Sequence, residues 1–392
     1  MALATIHIGV GSNVVCSTGL GNARASVRGT GSEQFPRFFC ARKSIHLNNC
    51  RLGDGRRKRV VLMKPCLFYG NGINLIGNNK LPKWDKLLEQ IAKDYWSCKE
   101  QGKKFHLDFD NVPYPLRYEY IYLLGENNNY VKNTSTTLNE EELKRVIKNR
   151  LDNQVVNDVY EKMAEAPIED YITTNFDTNL EKLLSDKYGY TKTTHKKPIE
   201  KRYSICRCTE LENSKKNDKK RIWHIHGNIT SLNSITVGYD QYCGMLTNIN
   251  RYIKGMYTIN GENIGKIQDR LKNPNTFSIN SWIDLFFVAP IYMIGIGLSF
   301  DEIDIWWLLN KRKRLFNQGQ LPLLPKNDIY YYDLDEQENE NKKKILERFD
   351  VNVINEIGNW DNIGSNDIDI RYHRLYQQAL NTLLNNCKKE NK

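Results

Sequence analysis

Ile172-Thr173-Thr174-Asn175-Phe176-Asp177 is an apolar approach ending in a polar cluster, and a helix-like run from Asn179 to Leu184 follows at once. A short strand that stops in Asn and Asp presents them at its carboxyl end, where open α/β sheets bind ligands. Asn175 and Asp177 equally suit a turn and a helix N-cap, so this stretch alone leaves both readings open. The order strand, turn, helix recurs along the chain. Pro65-Cys66-Leu67-Phe68-Tyr69 breaks into Gly70-Asn71-Gly72-Ile73-Asn74, and from Trp84 to Ala92 the residues Leu87, Leu88 and Ile91 take helical spacing. Ile291-Tyr292-Met293-Ile294, within an apolar run from Leu285, reads as a buried parallel strand; Gly295-Ile296-Gly297-Leu298-Ser299 is a second glycine turn, feeding a helix from Asp301 to Lys313. Arg221-Ile222-Trp223-His224-Ile225-His226-Gly227 alternates like a strand and ends at a glycine. A last strand, Ile329-Tyr330-Tyr331-Tyr332, ends in Asp333, Leu334 and Asp335, ahead of a charged helix near 337–349 and the short strand Val351 to Ile354. Strands alternating with helices predict an α/β fold with a doubly wound, mainly parallel, Rossmann-like sheet.

Between these units the chain reads as insertions. Residues 95–165 are helical in pieces around a polar loop near 127–139, an insertion or lid; residues 240–285 read as mostly helical with Gly-bearing breaks. The stretch 191–221 is expected to be an exposed loop or hairpin, and Tyr372 to Leu384 an amphipathic helix.

The net charge of +11 is unevenly spread. Residues 1–63 carry ten Lys and Arg against Glu33 and Asp54, a net of +8, which leaves +3 for residues 64–392. That leader is rich in Ser, Gly, Ala and Arg and poor in acids, like an organelle transit peptide, chloroplast ahead of mitochondrion; a disordered basic tail or a fused expression segment is the other reading. It is set aside from the fold, which is assigned to residues 64–392. The nearly balanced body disfavours nucleic acid, and the basic runs Lys215 to Arg221 and Lys311 to Arg314 read as solvated faces. No run of 18 apolar residues occurs, so no membrane span is expected, and localisation is read as cytoplasmic, or chloroplast stroma if the leader is a transit peptide. Nine cysteines show no paired spacing beyond Cys206-Arg207-Cys208, too tight for one zinc knuckle, so free thiols are the default.

Glycine turns at strand ends let a backbone approach a pyrophosphate without a Cβ in the way, and the following helix offers unpaired N–H groups. Gly70, Gly72 and Asn74 fit the first such turn; Gly295, Gly297 and Ser299 fit the second. His226 precedes Gly227 at a strand end, and His224, two residues earlier, is expected on the same face. With no Asp, Glu or Cys at a helpful spacing, metal is not expected; general-base work or hydroxyl positioning suits His226 better.

Taken in order, Gly70-Asn71-Gly72-Ile73-Asn74, Thr174-Asn175-Phe176-Asp177, His226-Gly227 and Gly295-Ile296-Gly297-Leu298 resemble the SIR2 (sirtuin) family: its G-A-G-I-S turn, T-Q-N-I-D strand end, catalytic His-Gly and G-T-S-L turn. The resemblance runs from about Leu67 to Asp335 and fits best the bacterial SIR2-like proteins with Pro-x-Trp after the first turn, here Pro82-Lys83-Trp84. The chain departs from the family at Asn71 for Ala, Asn74 for Ser, Thr174 for Gln and Gly297 for Ser. Family deacetylases also carry two Cys-x-x-Cys pairs after the His-Gly, whereas residues 228–285 hold only Cys243, so no zinc ribbon is expected.

The resemblance implies that NAD is bound as substrate, with no metal, and is cleaved between nicotinamide and ribose through an oxocarbenium-like state. It implies catalytic roles for Asn175, which would order a water or ribose hydroxyl, for Asp177, which would hold the arrangement, and for His226, which would take a proton. Gly70, Asn71, Gly72, Asn74, Thr174, Gly295, Gly297, Ser299 and Asp333 would bind the dinucleotide. Without a zinc module, water becomes the acceptor, giving ADP-ribose and nicotinamide with some cyclised product possible. An NAD hydrolase of antiphage defence leads; a protein deacylase or ADP-ribosyltransferase and a silent nucleotide-binding sensor are the alternatives. Expected partners are NAD, a second copy of the chain, and a phage-derived or partner-protein trigger.

Overall fold

The computed structural model describes residues 63–77, 83–99, 109, 111–126, 139–152, 156–193, 202–272, 276–321, 326–334, 340–355 and 368–390. The leader up to residue 62, most of the polar loop near 127–139, and Asp335 lie outside the described residues. The strands are β1 (Cys66–Tyr69), β2 (Asp170–Thr173), β3 (Thr191–Lys192), β4 (Cys208–Asn213), β5 (Asp218–His224), β6 (Tyr257–Ile259), β7 (Glu262–Ile264), β8 (Ile291–Ile294), β9 (Ile329–Tyr332) and β10 (Val351–Ile354). The helices are α1 (Trp84–Lys99), α2 (Tyr114–Glu126), α3 (Glu140–Leu151), α4 (Asp158–Glu165), α5 (Asn179–Asp186), α6 (Tyr239–Ile253), α7 (Ile267–Leu271), α8 (Trp282–Val288), α9 (Ile303–Asn317), α10 (Glu340–Arg348) and α11 (Ile368–Glu390).

Eight strands form one sheet in the order β10-β9-β8-β1-β2-β5-β4-β3. The six strands expected from the sequence are its parallel core, β10 through β5, and β4 and β3 extend it antiparallel. From β1 the chain winds to β2 and β5 on one side, then returns to β8, β9 and β10 on the other. The order therefore reverses between β1 and β8, the switch point at which such sheets bind ligands.

Every residue of β1, β2 and β8 is buried, as expected of strands covered on both faces, including the polar ends of β2, Asp170 and Thr173. On one face Phe68, Ile172 and Met293 pack with Trp282 and Phe286 of α8 and Ile305 and Leu308 of α9. On the other, Leu67, Tyr171 and Tyr292 meet Val159 and Met163 of α4 and Leu375 and Leu380 of α11. A third cluster joins Leu87 and Ile91 of α1, Tyr118 and Ile121 of α2 and Leu143 and Ile147 of α3 to Phe176, Ile229 and Val237. The helical insertion is thus anchored on the segment that follows β2, with Trp84 edge-on to Phe176 at 4.8 Å between centroids.

Three expectations need correction. Within 240–285, residues 257–264 form a β-hairpin, and its signal was Asn260-Gly261, both at positive φ (55° and 83°) as a two-residue hairpin turn requires. The stretch 191–221 is partly a half-buried edge of the sheet, with alternate residues of β4 facing inward. The two basic runs are not solely solvated faces. Lys220 is 1% exposed, with Nζ donating to the carbonyls of Ala166 and Ile168, and Arg312 is fully buried against the carbonyls of Phe286 and Asn327. In each case backbone carbonyls left over at segment ends take the donors, which periodicity does not reveal. No described helix is long and apolar enough to cross a membrane.

Candidate active site

Both glycine turns sit at the switch point and press on each other. Gly70 N–H donates to Ile294 O at 3.1 Å and Gly72 N–H to Gly295 O at 2.7 Å. A Cβ on Gly70 would lie 2.6 Å from Gly295 O, one on Gly72 2.7 Å from Gly295 Cα, and one on Gly295, itself at φ +64°, 2.9 Å from Ile73 N. These three glycines are fixed by turn against turn rather than by pyrophosphate alone, and a short 3₁₀ turn, Asn71–Leu75, follows the first instead of a full helix. Gly297 differs, with nothing within 4 Å of where its Cβ would stand.

Beside the turns lies a cavity of about 540 Å³, a size ordinary for small-molecule sites. Asn71, Gly72, Thr174, His226, Gly295, Gly297, Ser299 and Asp333 line it, joined by Trp84, Arg117, Phe176, Tyr242, Glu302 and Lys342. Gly70, Asn74, Asn175 and Asp177 do not. Gly297→Val is accordingly expected to leave the melting temperature unchanged while raising KM for a cavity ligand about tenfold or more, through lost ground-state binding; a melting point lowered as for a buried overpacking would refute the open-space reading.

Asn74, Asn175 and Asp177 form a buried polar layer with Tyr160 and Asn179. Asn74 Nδ2 donates to Asp177 Oδ2 at 2.8 Å, and its Oδ1 accepts from the Tyr160 hydroxyl at 2.7 Å. Asp177 Oδ1 accepts the N–H of Asn179 at 3.1 Å, so the N-cap reading and the site reading of this residue coexist. Burial and the nearby Glu181 raise the Asp177 carboxyl above its ordinary value, against the bonds from Asn179 and Asn74. Asn175 is 3% exposed, and neither its Nδ2 nor its Oδ1 has a hydrogen-bond partner. A buried carboxamide without partners is costly, about 1–3 kcal/mol for each unpaired group, and is retained where a ligand or ordered water completes it.

His226 lies on the cavity wall with Nε2 2.9 Å from Asp304 Oδ2 and 3.8 Å from Glu302 Oε2. Burial lowers its affinity for a proton, and Asp304 and Glu302 more than reverse this, so its pKa lies above the ordinary histidine value. Glu302 is pushed up to about 7, mainly by burial, which His226 opposes and Asp304 reinforces. His224 does not share the site, contrary to the expectation from alternation. It ends β5 facing the other way, with Nε2 2.5 Å from Glu181 Oε1 and Nδ1 3.1 Å from Asn175 O, while His226 is already past the strand.

Sequence reasoning missed Asp304 and Glu302, which stand 78 and 76 positions from His226; the only hint was the acid-rich Asp301-Glu302-Ile303-Asp304 directly after the second glycine turn. The objection to metal rested on chain neighbours, and space supplies two carboxylates instead. Ligand atoms of His226, Glu302 and Asp304 lie within 4.8 Å of one another, a set that could take a divalent cation. Asp333 closes the far side: Oδ2 accepts from Lys342 Nζ at 2.9 Å and the Tyr331 hydroxyl at 3.0 Å, and Oδ1 from the Tyr372 hydroxyl at 3.2 Å.

The family model described as SIR2-like domain matches residues 169–354, from just before β2 to the end of β10. The chain carries a SIR2-like domain. The match includes Asn175, His226 and the second glycine turn; the first turn lies outside it, at the end of β1, which pairs with β2 and β8 in the same sheet. No curated protein matches the chain significantly. A SIR2-like domain ties the protein to NAD-related function, and the open space at Gly297 is compatible with a dinucleotide in this cavity.

Proposed function

We propose that this protein hydrolyses NAD at the nicotinamide–ribose bond, releasing nicotinamide and ADP-ribose. The observation that carries the proposal is a carboxylate-backed His226 on the wall of a switch-point cavity, with an unpartnered Asn175 carboxamide buried between the cavity-lining residues Thr174 and Phe176. Bond cleavage at the ribose anomeric carbon builds positive charge on the sugar and needs a dry, shaped site more than a strong nucleophile. The Asn175 carboxamide can order a water or ribose hydroxyl without adding charge, and His226 takes the proton that the oxygen sheds. Asp177, bonded to Asn74 and the start of α5, keeps the β2–α5 turn in place. Asn71, Gly72, Thr174, Gly295, Gly297, Ser299 and Asp333 are the cavity groups assigned to the dinucleotide, and water is the acceptor.

In a cell such an enzyme would deplete NAD. That suits an abortive, antiphage role, with a second copy of the chain or a phage-derived or partner protein as trigger. The activity itself is tested with purified protein and NAD alone. Nicotinamide released without any peptide is the expected result; release that requires an acyl-lysine peptide would replace hydrolysis by deacylation.

A further inference from the structure

The carboxylates that back His226 have been given no step of their own in the chemistry above. Asp304 is fully buried in the first turn of α9, and both its oxygens are committed: Oδ2 to His226 Nε2 at 2.9 Å, Oδ1 to the N–H of Ile305 at 2.9 Å. A carboxylate held at both oxygens cannot turn away, so it dictates which imidazole nitrogen it meets. Glu302 stands behind it, with Oε2 3.8 Å from Nε2 and accepting from the Tyr242 hydroxyl at 3.4 Å. Tyr242 packs its ring edge on the imidazole at 5.2 Å between centroids, and its hydroxyl pairs with that of Tyr114. The charged and titratable groups around His226 are therefore Glu302 at the N-cap of α9 and Asp304 in its first turn, with Asp301 acting on Glu302, Tyr242 from α6 and Tyr114 from α2.

We propose that Asp304, supported by Glu302, is the positioning residue for His226: it holds Nε2–H, leaves Nδ1 as the proton acceptor, and stabilises the imidazolium that forms. This rests on the NAD-cleaving reading of the site. In the step itself an O–H bond of the attacking water or a ribose hydroxyl breaks and an N–H bond forms at Nδ1. The positive charge on the ring is met by the Asp304 carboxylate, and the proton passes to solvent after the products form. No electrons change hands. The carboxylate makes the neutral ring a stronger base and the ring harder to deprotonate, so turnover rises with pH as His226 loses its proton.

The test uses the full chain, stripped of divalent cations by a chelator, with isotope-labelled histidines, titrated by NMR as wild type, Asp304→Asn and Glu302→Gln, with the His226 signal assigned by its loss in His226→Gln. Asparagine keeps an acceptor for Ile305, so the start of α9 is preserved. The expected results are a wild-type His226 protonated on Nε2 in its neutral form, a titration midpoint moved to lower pH in Asp304→Asn, and a smaller move the same way in Glu302→Gln. The acid limb of nicotinamide release should move with it, and kcat should fall about 10²-fold with little change in KM, as for lost proton transfer. An unchanged midpoint in Asp304→Asn overturns the proposal, as does a rate that falls equally at every pH. A moved midpoint in a protein that does not cleave NAD upholds the pairing and overturns the NAD reading instead.

Discussion

Replacing Asn175 with leucine is expected to lower nicotinamide release by about 10²-fold or more, the scale of one lost polar group at a reacting centre, with little change in stability. The two halves of that result have one cause. Asn175 is buried, yet its amide nitrogen and oxygen meet no partner in hydrogen-bond geometry, and the Tyr160 hydroxyl, near enough to feel the carboxamide, donates to Asn74. Leucine keeps the side-chain branching and has no polar atoms to strand, so the change removes a desolvation cost while its bulkier methyl groups press on the packing; the two offset to within about 1 kcal/mol. Thermal melts beside initial rates measure both. A loss of several kcal/mol would mean that the carboxamide has a structural partner after all, and undiminished turnover would remove Asn175 from the chemistry.

Gly227→Ala is expected to be the most damaging single methyl in the described chain. Gly227 has φ +85°, and an added Cβ would lie 2.1 Å from Ser234 O and 2.3 Å from Ser234 C, both backbone atoms. The neighbouring backbone is pinned from two sides, since His226 O accepts the N–H of Thr236 at 2.9 Å and Gly227 N–H donates to His224 O at 3.2 Å. Left-handed strain and overpacking each cost about 1–3 kcal/mol, together a large part of a typical domain's stability. Gly261→Ala is the control: φ is +83°, but nothing lies within 4 Å of its Cβ position, so only the strain applies. Chemical denaturation should separate the two variants by about 2 kcal/mol; equal midpoints would show that the His226–Gly227 turn can relax. The same displacement would carry His226 off Asp304, so Gly227→Ala should also be inactive where it folds.

The parallel core was legible because its strands announce themselves: β1 and β8 are unbroken apolar runs, β2 has an apolar centre at Tyr171 and Ile172, and each ends in a small or polar turn at the switch point. The cavity lining was legible where it coincides with a segment just past a strand, as at Thr174, His226, Gly297 and Asp333. The site was not legible where contacts span the chain. Asp304 reaches His226 across 78 residues, and no local period encodes that approach. His224 and His226 were placed on one face because alternation was extended past the last paired residue of β5, where the chain has already turned toward Gly227. Gly70, Gly72 and Gly295 carry a phosphate-binding look, yet their missing side chains are first required by each other. The hairpin at 257–264 was the avoidable miss, since Asn260-Gly261 is a strong local turn signal that a helical reading of the surrounding residues overrode.

The most direct test of the account is a product analysis of NAD incubated with the purified full chain, with His226→Ala and Asn175→Leu alongside. The account predicts nicotinamide and ADP-ribose in equal amounts from the wild type, without added peptide or metal, and at least about 10²-fold less from either variant at matched folded protein. Intact NAD with the wild type, or variants that cleave as fast as it does, would contradict it.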